Sequence, residues 1–124
     1  MQVVVAGDGS TYDMALSATS GTLYRHLDDW YICYDNEAYG NTGMQQSSAK
    51  PYAARTATAA GDAGLTEGDP LGKKDIFEIW RAHTPPYIAT VSPRHAVDPA
   101  RKFEKAKQFK GPKLFLAFAP CPTG

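Results

Sequence analysis

Short β-branched or aromatic runs alternate with helix-patterned segments along nearly the whole chain, and no other feature narrows the possible architectures as far. "QVVVAG" (2–7), "WYICYD" (30–35), "PYIATVS" (86–92) and "KLFLAFAP" (113–120) read as strands, the first of them as a buried one. Between the first two, the pattern predicts a helix from about Thr11 to His26. It has a Ser/Thr cap, Asp13 in its first turn, and Met14, Leu16 or Ser17, Ala18, Gly21 and Leu23 along one face. "KKDIFEIWRAH" sets Ile76, Ile79, Trp80 and His83 on one face, and "DPARKFEKAKQFKG" is opened by Asp98 and Pro99 and closed by Gly111. Strand, helix, strand, helix, strand, helix, strand predicts an α/β fold in three αβα layers, a parallel sheet with helices on both faces. No internal repeat is visible.

At 124 residues the chain is one domain or one large piece of one, and 43% hydrophobic with 21% charged residues excludes disordered and collagen-like classes. No apolar stretch approaches the length of a spanning helix, and "MQVVVAGDGS" lacks the basic start and long apolar centre of a signal peptide. The cytoplasm is the expected compartment, with neither membrane nor nucleic acid as a partner. Net charge is zero but unevenly spread: residues 1–40 carry six acids against Arg25 alone, and residues 101–113 carry six Lys or Arg against Glu104. An acidic cluster suits a cation. The basic end reads first as a solvated helix and second as a surface for an acidic partner.

Residues 36–72 show no sustained period, and "GDAGLTEGDPLG" within them has the composition of a mobile loop. The stretch after the second strand is unusual in another way. "WYICYDNEAYGNTGMQQSS" breaks from an apolar run into Asp35, Asn36, Glu37, Asn41, Gln45 and Gln46, far more oxygen-bearing groups than a surface turn needs.

A parallel sheet binds ligands beyond the carboxyl ends of its strands, so the segments following "VVVA" and "WYIC" belong together. "GDGST" places a glycine on each side of Asp8, which lets the backbone approach a ligand, and the helix beyond it points free N–H groups outward. Those are the properties of a diphosphate site. A bound diphosphate usually brings Mg²⁺, which takes hard oxygen ligands; Asp8 offers one, and Asn36 with a nearby backbone carbonyl offers two more.

Gly9 and Asn36 are separated by 26 residues, the length of one helix and the next strand. The pair resembles the thiamine diphosphate signature, Gly-Asp-Gly followed some two dozen residues later by Asn. The surrounding words "GDGSTYDMALSATSGTLYR", "YICYDNEAYGNTGMQQSSAKPY", "KKDIFEIWRAHTPPYIATVS" and "GPKLFLAFAPCPTG" resemble the thiamine-binding β subunit of pyruvate:ferredoxin oxidoreductase and its 2-oxoacid relatives. The likeness runs over nearly the whole chain and is poorest in residues 54–72.

The resemblance implies that residues 1–124 are the C-terminal part of a thiamine-diphosphate-binding domain. It implies a cytoplasmic, multi-subunit enzyme that decarboxylates a 2-oxoacid, most readily pyruvate, passes electrons through iron–sulfur clusters to ferredoxin, and forms an acyl-coenzyme A. Asp8, the Asn36 side chain and the Ala38 carbonyl would bind Mg²⁺. Gly7, Gly9, Ser10 and the segment Asn36, Glu37, Ala38, Tyr39, Gly40 and Asn41 would hold the cofactor, with Asn41 facing the thiazolium as the catalytic amide. By the same resemblance Cys121, in "APCPTG", is one of four thiolates on a 4Fe-4S cluster, and the glutamate that activates thiamine comes from another domain or subunit. Glu37 has the right chemistry for that activation but sits beside the metal loop and is not assigned the role.

The residues themselves leave other uses open. Asn41 suits an Asx turn before Thr42-Gly43. Cys33 reads as an inert buried thiol, and a disulfide to Cys121 does not suit a cytosolic protein. His26 and His83 end expected helices, His95 lies in a Pro-rich loop, and none has partners at metal-ligand spacing. Two alternatives to the oxidoreductase share the metal motif or the phosphate loop. One is a non-oxidative thiamine-dependent decarboxylase or carboligase; the other is a diphosphate-binding module without activity.

Overall fold

The computed structural model describes residues 2–58 and 71–121. The stretch expected to be a mobile loop lies outside the described residues apart from Leu71 and Gly72. Four strands form one sheet: β1 (Gln2–Gly7), β2 (Asp29–Asp35), β3 (Tyr87–Val91) and β4 (Lys113–Phe118), in the order β1-β2-β4-β3. Every pairing is parallel, with Val4 opposite Tyr31, Tyr31 opposite Leu114 and Ile88 opposite Leu114. Helices α1 (Leu16–Tyr24), α2 (Ile76–Arg81) and α3 (Val97–Ala106) connect them. The α/β reading of the sequence therefore holds.

Alternation along β2 and β4 sends side chains to two cores. Tyr31, Cys33 and Leu114 pack against Tyr12, Leu23, Ile76 and Trp80 on the face that α1 and α2 cover. Trp30 and Phe115 pack with Ala89, Val91 and Ala106 on the α3 face, where Phe103 and Phe115 lie 4.5 Å apart between ring centroids. Helices thus lie on both faces.

The first strand departs from expectation. Val3 and Val5 are 56% and 62% exposed, because among the described residues β1 has β2 as its one strand neighbour and α3 packs over β3, at the far end of the strand order. A β-branched run records the preference for a strand but not that strand's place in the sheet.

The first helix also departs. The chain leaves β1 through a wide turn of π-helix, Gly9–Met14, and only then enters α1, with Ala15 between them at φ −110° and ψ 16°. Asp8 is the N-terminal residue of this turn but makes no side-chain cap, and neither does a Ser or Thr. The extra residue in the π turn rotates the succeeding helix by about 100°. The buried face is accordingly Tyr12, Thr19 and Leu23, while Met14 is 72% exposed and Ala18 also faces solvent. Thr19 is tolerated inside because its hydroxyl donates to the Ala15 carbonyl at 2.9 Å.

The last two helices are shorter than their sequence patterns. Asp75 caps α2 by accepting from the Glu78 amide at 2.9 Å, so Lys73 and Lys74 precede the helix instead of joining it. Helix α3 starts at Val97, with Asp98 and Pro99 inside its first turn, and ends at Ala106. Gly111 turns the chain into β4 at φ 105°, a conformation that favours glycine.

Candidate functional site

β1, β2 and β4 are adjacent and parallel, so the loops after Gly7, Asp35 and Phe118 emerge together at one end of the sheet. Asp8 leaves β1 with its side chain inward, 2% exposed. Burial pushes its carboxyl above the ordinary range; Asp35 adds to the rise and the Ser47 hydroxyl opposes it. From the second loop, one terminal atom of the Asn36 carboxamide lies 2.7 Å from Asp8 Oδ1 and 2.6 Å from the Ala38 carbonyl oxygen. With the amide nitrogen at that position, the carboxamide donates to both oxygens. Turned over, it brings its own oxygen against the Asp8 carboxyl and the Ala38 carbonyl, an arrangement that a cation among them satisfies.

Neighbouring ligands about 2.0–2.1 Å from an octahedral magnesium ion lie about 2.9 Å from each other, so the carboxamide stands a few tenths of an ångström closer to Asp8 and Ala38 than a bound ion would set it. The geometry depends on Glu37, which stands between Asn36 and Ala38 at φ 68°, in the left-handed region, and so lets both turn toward Asp8. Asp35 fixes the base of the loop by accepting the Glu37 amide at 3.0 Å. Its other oxygen accepts Tyr12 Oη at 2.8 Å and meets Lys73 Nζ at 2.6 Å, and Lys73 also reaches Glu37 at 3.2 Å. Burial pushes the Tyr12 phenol well above its usual range, and the Asp35 contact adds to this, so Tyr12 stays a donor.

A third segment closes on the site from behind. Ser47 Oγ donates to Asp8 Oδ2, and Ser48 Oγ donates to Asp13 Oδ1 while its amide reaches Asp13 Oδ2 at 3.0 Å. Lys74 adds an ion pair to Asp13 at 3.2 Å. Burial acts to raise the Asp13 carboxyl, but the Ser48 and Lys74 contacts outweigh it and hold the group below the usual carboxylate range. The π turn has a purpose here. Residues five apart on an α-helix point about 140° away from each other, and the wider i→i+5 winding brings Asp8 and Asp13 nearer to one side.

Gly7, Ser10, Asn36, Ala38, Tyr39, Gly40, Asn41 and Cys121 border a cleft of about 420 Å³, within the range of small-molecule sites. Gly9 is not on its surface: it is buried beneath the Tyr39 ring, whose hydroxyl donates to the Gly9 carbonyl at 3.1 Å. Glu37 turns away from this cleft and borders a second one, of about 200 Å³, that shares Asn36, Ala38 and Cys121 with the first. Cys121 Sγ lies 3.9 Å from where a Gly40 Cβ would stand, so the sulfur is at the cleft wall. Sequence reasoning missed Ser47, Lys73 and Tyr12 as the supports of Asp8 and of the loop after β2. Of these only the pair of serines after Gln46 carried a hint, as a further run of hydroxyls in an already polar stretch.

The remaining candidates separate from this end. Cys33 is fully buried between the sheet and Thr11, and burial pushes its thiol up to about 12, as expected of an inert core cysteine. His83 meets the Ile79 carbonyl with Nδ1 at 2.9 Å and Ser20 Oγ with Nε2 at 2.7 Å, which ties α2 to α1. The basic end is partly neutralised: Lys102 pairs with Asp98 at 2.6 Å, Lys107 with Glu104 at 2.6 Å, and the buried Lys113 with Asp28. Among the described residues no three His, Cys, Asp or Glu side chains gather at metal-binding distance. No helix among them is long and apolar enough to cross a membrane.

The family model described as "Thiamine pyrophosphate enzyme, C-terminal TPP binding domain" matches residues 1–116. The chain is 47% identical over 123 residues to pyruvate synthase subunit PorB of Methanosarcina barkeri, covering 98% of this chain and 41% of that protein. It is 48% identical over 125 residues to ketoisovalerate oxidoreductase subunit VorB of Pyrococcus horikoshii, covering all of this chain and 40% of that one. It thus spans about two-fifths of the length of the curated relatives it matches. Among solved structures, a 2-oxoglutarate:ferredoxin oxidoreductase from Magnetococcus marinus superposes on 97% of the chain with a TM-score of 0.84 at 20% identity, a likeness of fold.

Proposed function

Because the chain belongs to the family of C-terminal TPP-binding domains of thiamine pyrophosphate enzymes, we propose that residues 1–124 are that part of the catalytic subunit of a 2-oxoacid:ferredoxin oxidoreductase. Pyruvate is the first candidate substrate, and the 2-oxoacid, coenzyme A and ferredoxin are its reaction partners. The observation that carries the site assignment is the Asn36 carboxamide standing 2.7 Å from Asp8 Oδ1 and 2.6 Å from the Ala38 carbonyl oxygen.

In this reading those three groups hold Mg²⁺, with the Asn36 carboxamide oxygen turned toward the ion. Gly7 and Ser10 on one side and the segment Asn36 to Asn41 on the other hold thiamine diphosphate, with Gly9 acting from beneath by admitting Tyr39. When bound, the cofactor supplies the electron sink that lets a 2-oxoacid lose carbon dioxide. Asn41 is exposed at the cleft and offers a neutral N–H donor for a developing oxyanion on the substrate. Cys121 supplies one thiolate to a 4Fe-4S cluster whose other ligands lie outside this chain, since one thiolate does not hold a cluster. Its position at the cleft wall supports short-range electron withdrawal. Other subunits supply the glutamate that activates thiamine.

The test uses the protein as purified from its own cells. Chelation followed by gel filtration is expected to strip thiamine diphosphate and abolish pyruvate-dependent, coenzyme A-dependent ferredoxin reduction, and Mg²⁺ with the cofactor to restore both. Decarboxylation without ferredoxin reduction would move the assignment to a non-oxidative thiamine enzyme. Absence of any turnover with 2-oxoacids would leave a binding module.

A further inference from the structure

We propose that Ser47 is the positioning residue that fixes the Asp8 carboxylate for metal binding through one oxygen, a role that rests on the magnesium and thiamine reading of the site. The two oxygens of Asp8 have different tasks. Oδ2 accepts the Ser47 hydroxyl, and Oδ1 lies 2.7 Å from the Asn36 amide, on the side of the Ala38 carbonyl. Asp8 and Ser47 are each 2% exposed, so water does not substitute for the contact.

Ser47 is itself held in a defined orientation. Its Oγ accepts the Ala49 amide at 3.2 Å, which leaves its hydroxyl proton for Asp8, and its carbonyl accepts the Lys50 amide at 3.0 Å. The next residue, Ser48, grips Asp13 through both its hydroxyl and its amide. Two consecutive serines therefore secure two carboxylates on the same turn, and Ser47 has no freedom to track Asp8 if that side chain rotates.

The importance of this contact lies in how carboxylates bind small cations. A carboxylate with both oxygens unengaged rotates, or offers both oxygens to one ion, whereas Mg²⁺ demands near-octahedral placement of single oxygens. Occupying Oδ2 removes the alternatives and aims Oδ1. Hydrogen-bond partners of metal ligands commonly account for about 10–100-fold in metal affinity.

The test compares Ser47→Ala and Ser47→Thr with the parent, each purified from its own cells, freed of metal and titrated with Mg²⁺ at saturating thiamine diphosphate. The quantity read is the Mg²⁺ concentration that gives half-maximal cofactor retention on a desalting column. Ser47→Ala is expected to raise it about 10–100-fold, and Ser47→Thr, which keeps the hydroxyl, to stay within about threefold of the parent. Should the alanine variant fail to accumulate, Ser47→Cys keeps the shape with a weaker donor and is expected to raise the midpoint about tenfold. A lowered melting temperature in the metal-free variant with an unmoved Mg²⁺ midpoint overturns the proposal, as does failure of threonine to rescue. If the parent itself retains thiamine diphosphate without regard to Mg²⁺, the functional reading fails instead.

Discussion

The Tyr39 ring fills the space beside the Gly9 backbone so closely that a Cβ at position 9 would lie 2.2 Å from Tyr39 Cε1. Gly9 is therefore required by a neighbouring side chain more than by a ligand. Any substitution there pushes out Tyr39, which donates to the Gly9 carbonyl and reaches Asp13 at 3.4 Å. Gly9→Ala is expected to cost about 1–3 kcal/mol and to lower cofactor retention, because Tyr39 belongs to the loop that carries Asn36 and Ala38. Gly9→Ala combined with Tyr39→Ala should recover part of the stability lost by the first change, and strict additivity in denaturant unfolding would contradict this account.

Lys73 supports the loop that carries Asn36 and Ala38 from the far side of Asp35. Replacing it with Met leaves a buried carboxylate held only by the Tyr12 hydroxyl and the Glu37 amide. The expected loss is about 1–3 kcal/mol, less than for a fully buried pair because Lys73 is partly open to solvent. Burial acts to lower the Lys73 pKa, but the Asp35 and Glu37 contacts outweigh it and leave it raised. Its contribution is thus complete below about pH 10.4, the ordinary lysine value, and fades as the pH rises through the higher value of the folded state. Unfolding curves of parent and Lys73→Met should converge in that alkaline range and differ at pH 7.

Cys33 gives a second pH signature with its own window. Its thiol is held up at about 12 by burial, whereas in the unfolded chain it ionises near about 8.5. Between those values the folded state keeps a proton that the unfolded state loses, so stability falls with rising pH. Cys33→Ala should flatten that part of the profile while lowering stability at neutral pH through the lost packing. In the native protein Cys33 should resist alkylation at pH 8, and rapid labelling before unfolding would contradict its placement.

Asn41 faces the cleft from an exposed position, so its loss should leave the fold intact. Asn41→Ala is expected to lower turnover by about 10²-fold, the scale of one oxyanion donor, with little change in thiamine diphosphate affinity. Steady-state rates together with cofactor titration separate this from a binding role. A defect confined to cofactor affinity would make Asn41 a turn residue.

The four strands and the rough positions of the three helices among the described residues were legible in the chain, since each strand is a compact apolar run and α2 and α3 carry recognisable faces, whereas the face of α1 was not. The exposure of Val3 and Val5 was not legible, because strand order is decided by pairings between residues far apart, such as Trp30 with Lys113. The π turn was hidden for a different reason: one additional residue alters phase without altering composition. At the site, Asp8 and Asn36 stood out because short glycine and amide motifs are local. Ser47 and Lys73 act on Asp8 and Asp35 across 39 and 38 residues, and nothing near them in sequence announces those partners.

The central place of β4 sets an order of events during synthesis. Residues 113–118 are translated after the other three strands, yet they lie between β2 and β3 and supply Leu114 and Phe115 to the two cores. While the nascent chain still lacks them, β2 and β3 have no strand between them, and each is without the partner that sets its register. A ribosome that stalls before Lys113 therefore holds a polypeptide that has made the loops carrying Asp8, Asn36 and Ser47 but not the strand that joins β2 to β3, a state open to chaperone capture or proteolysis.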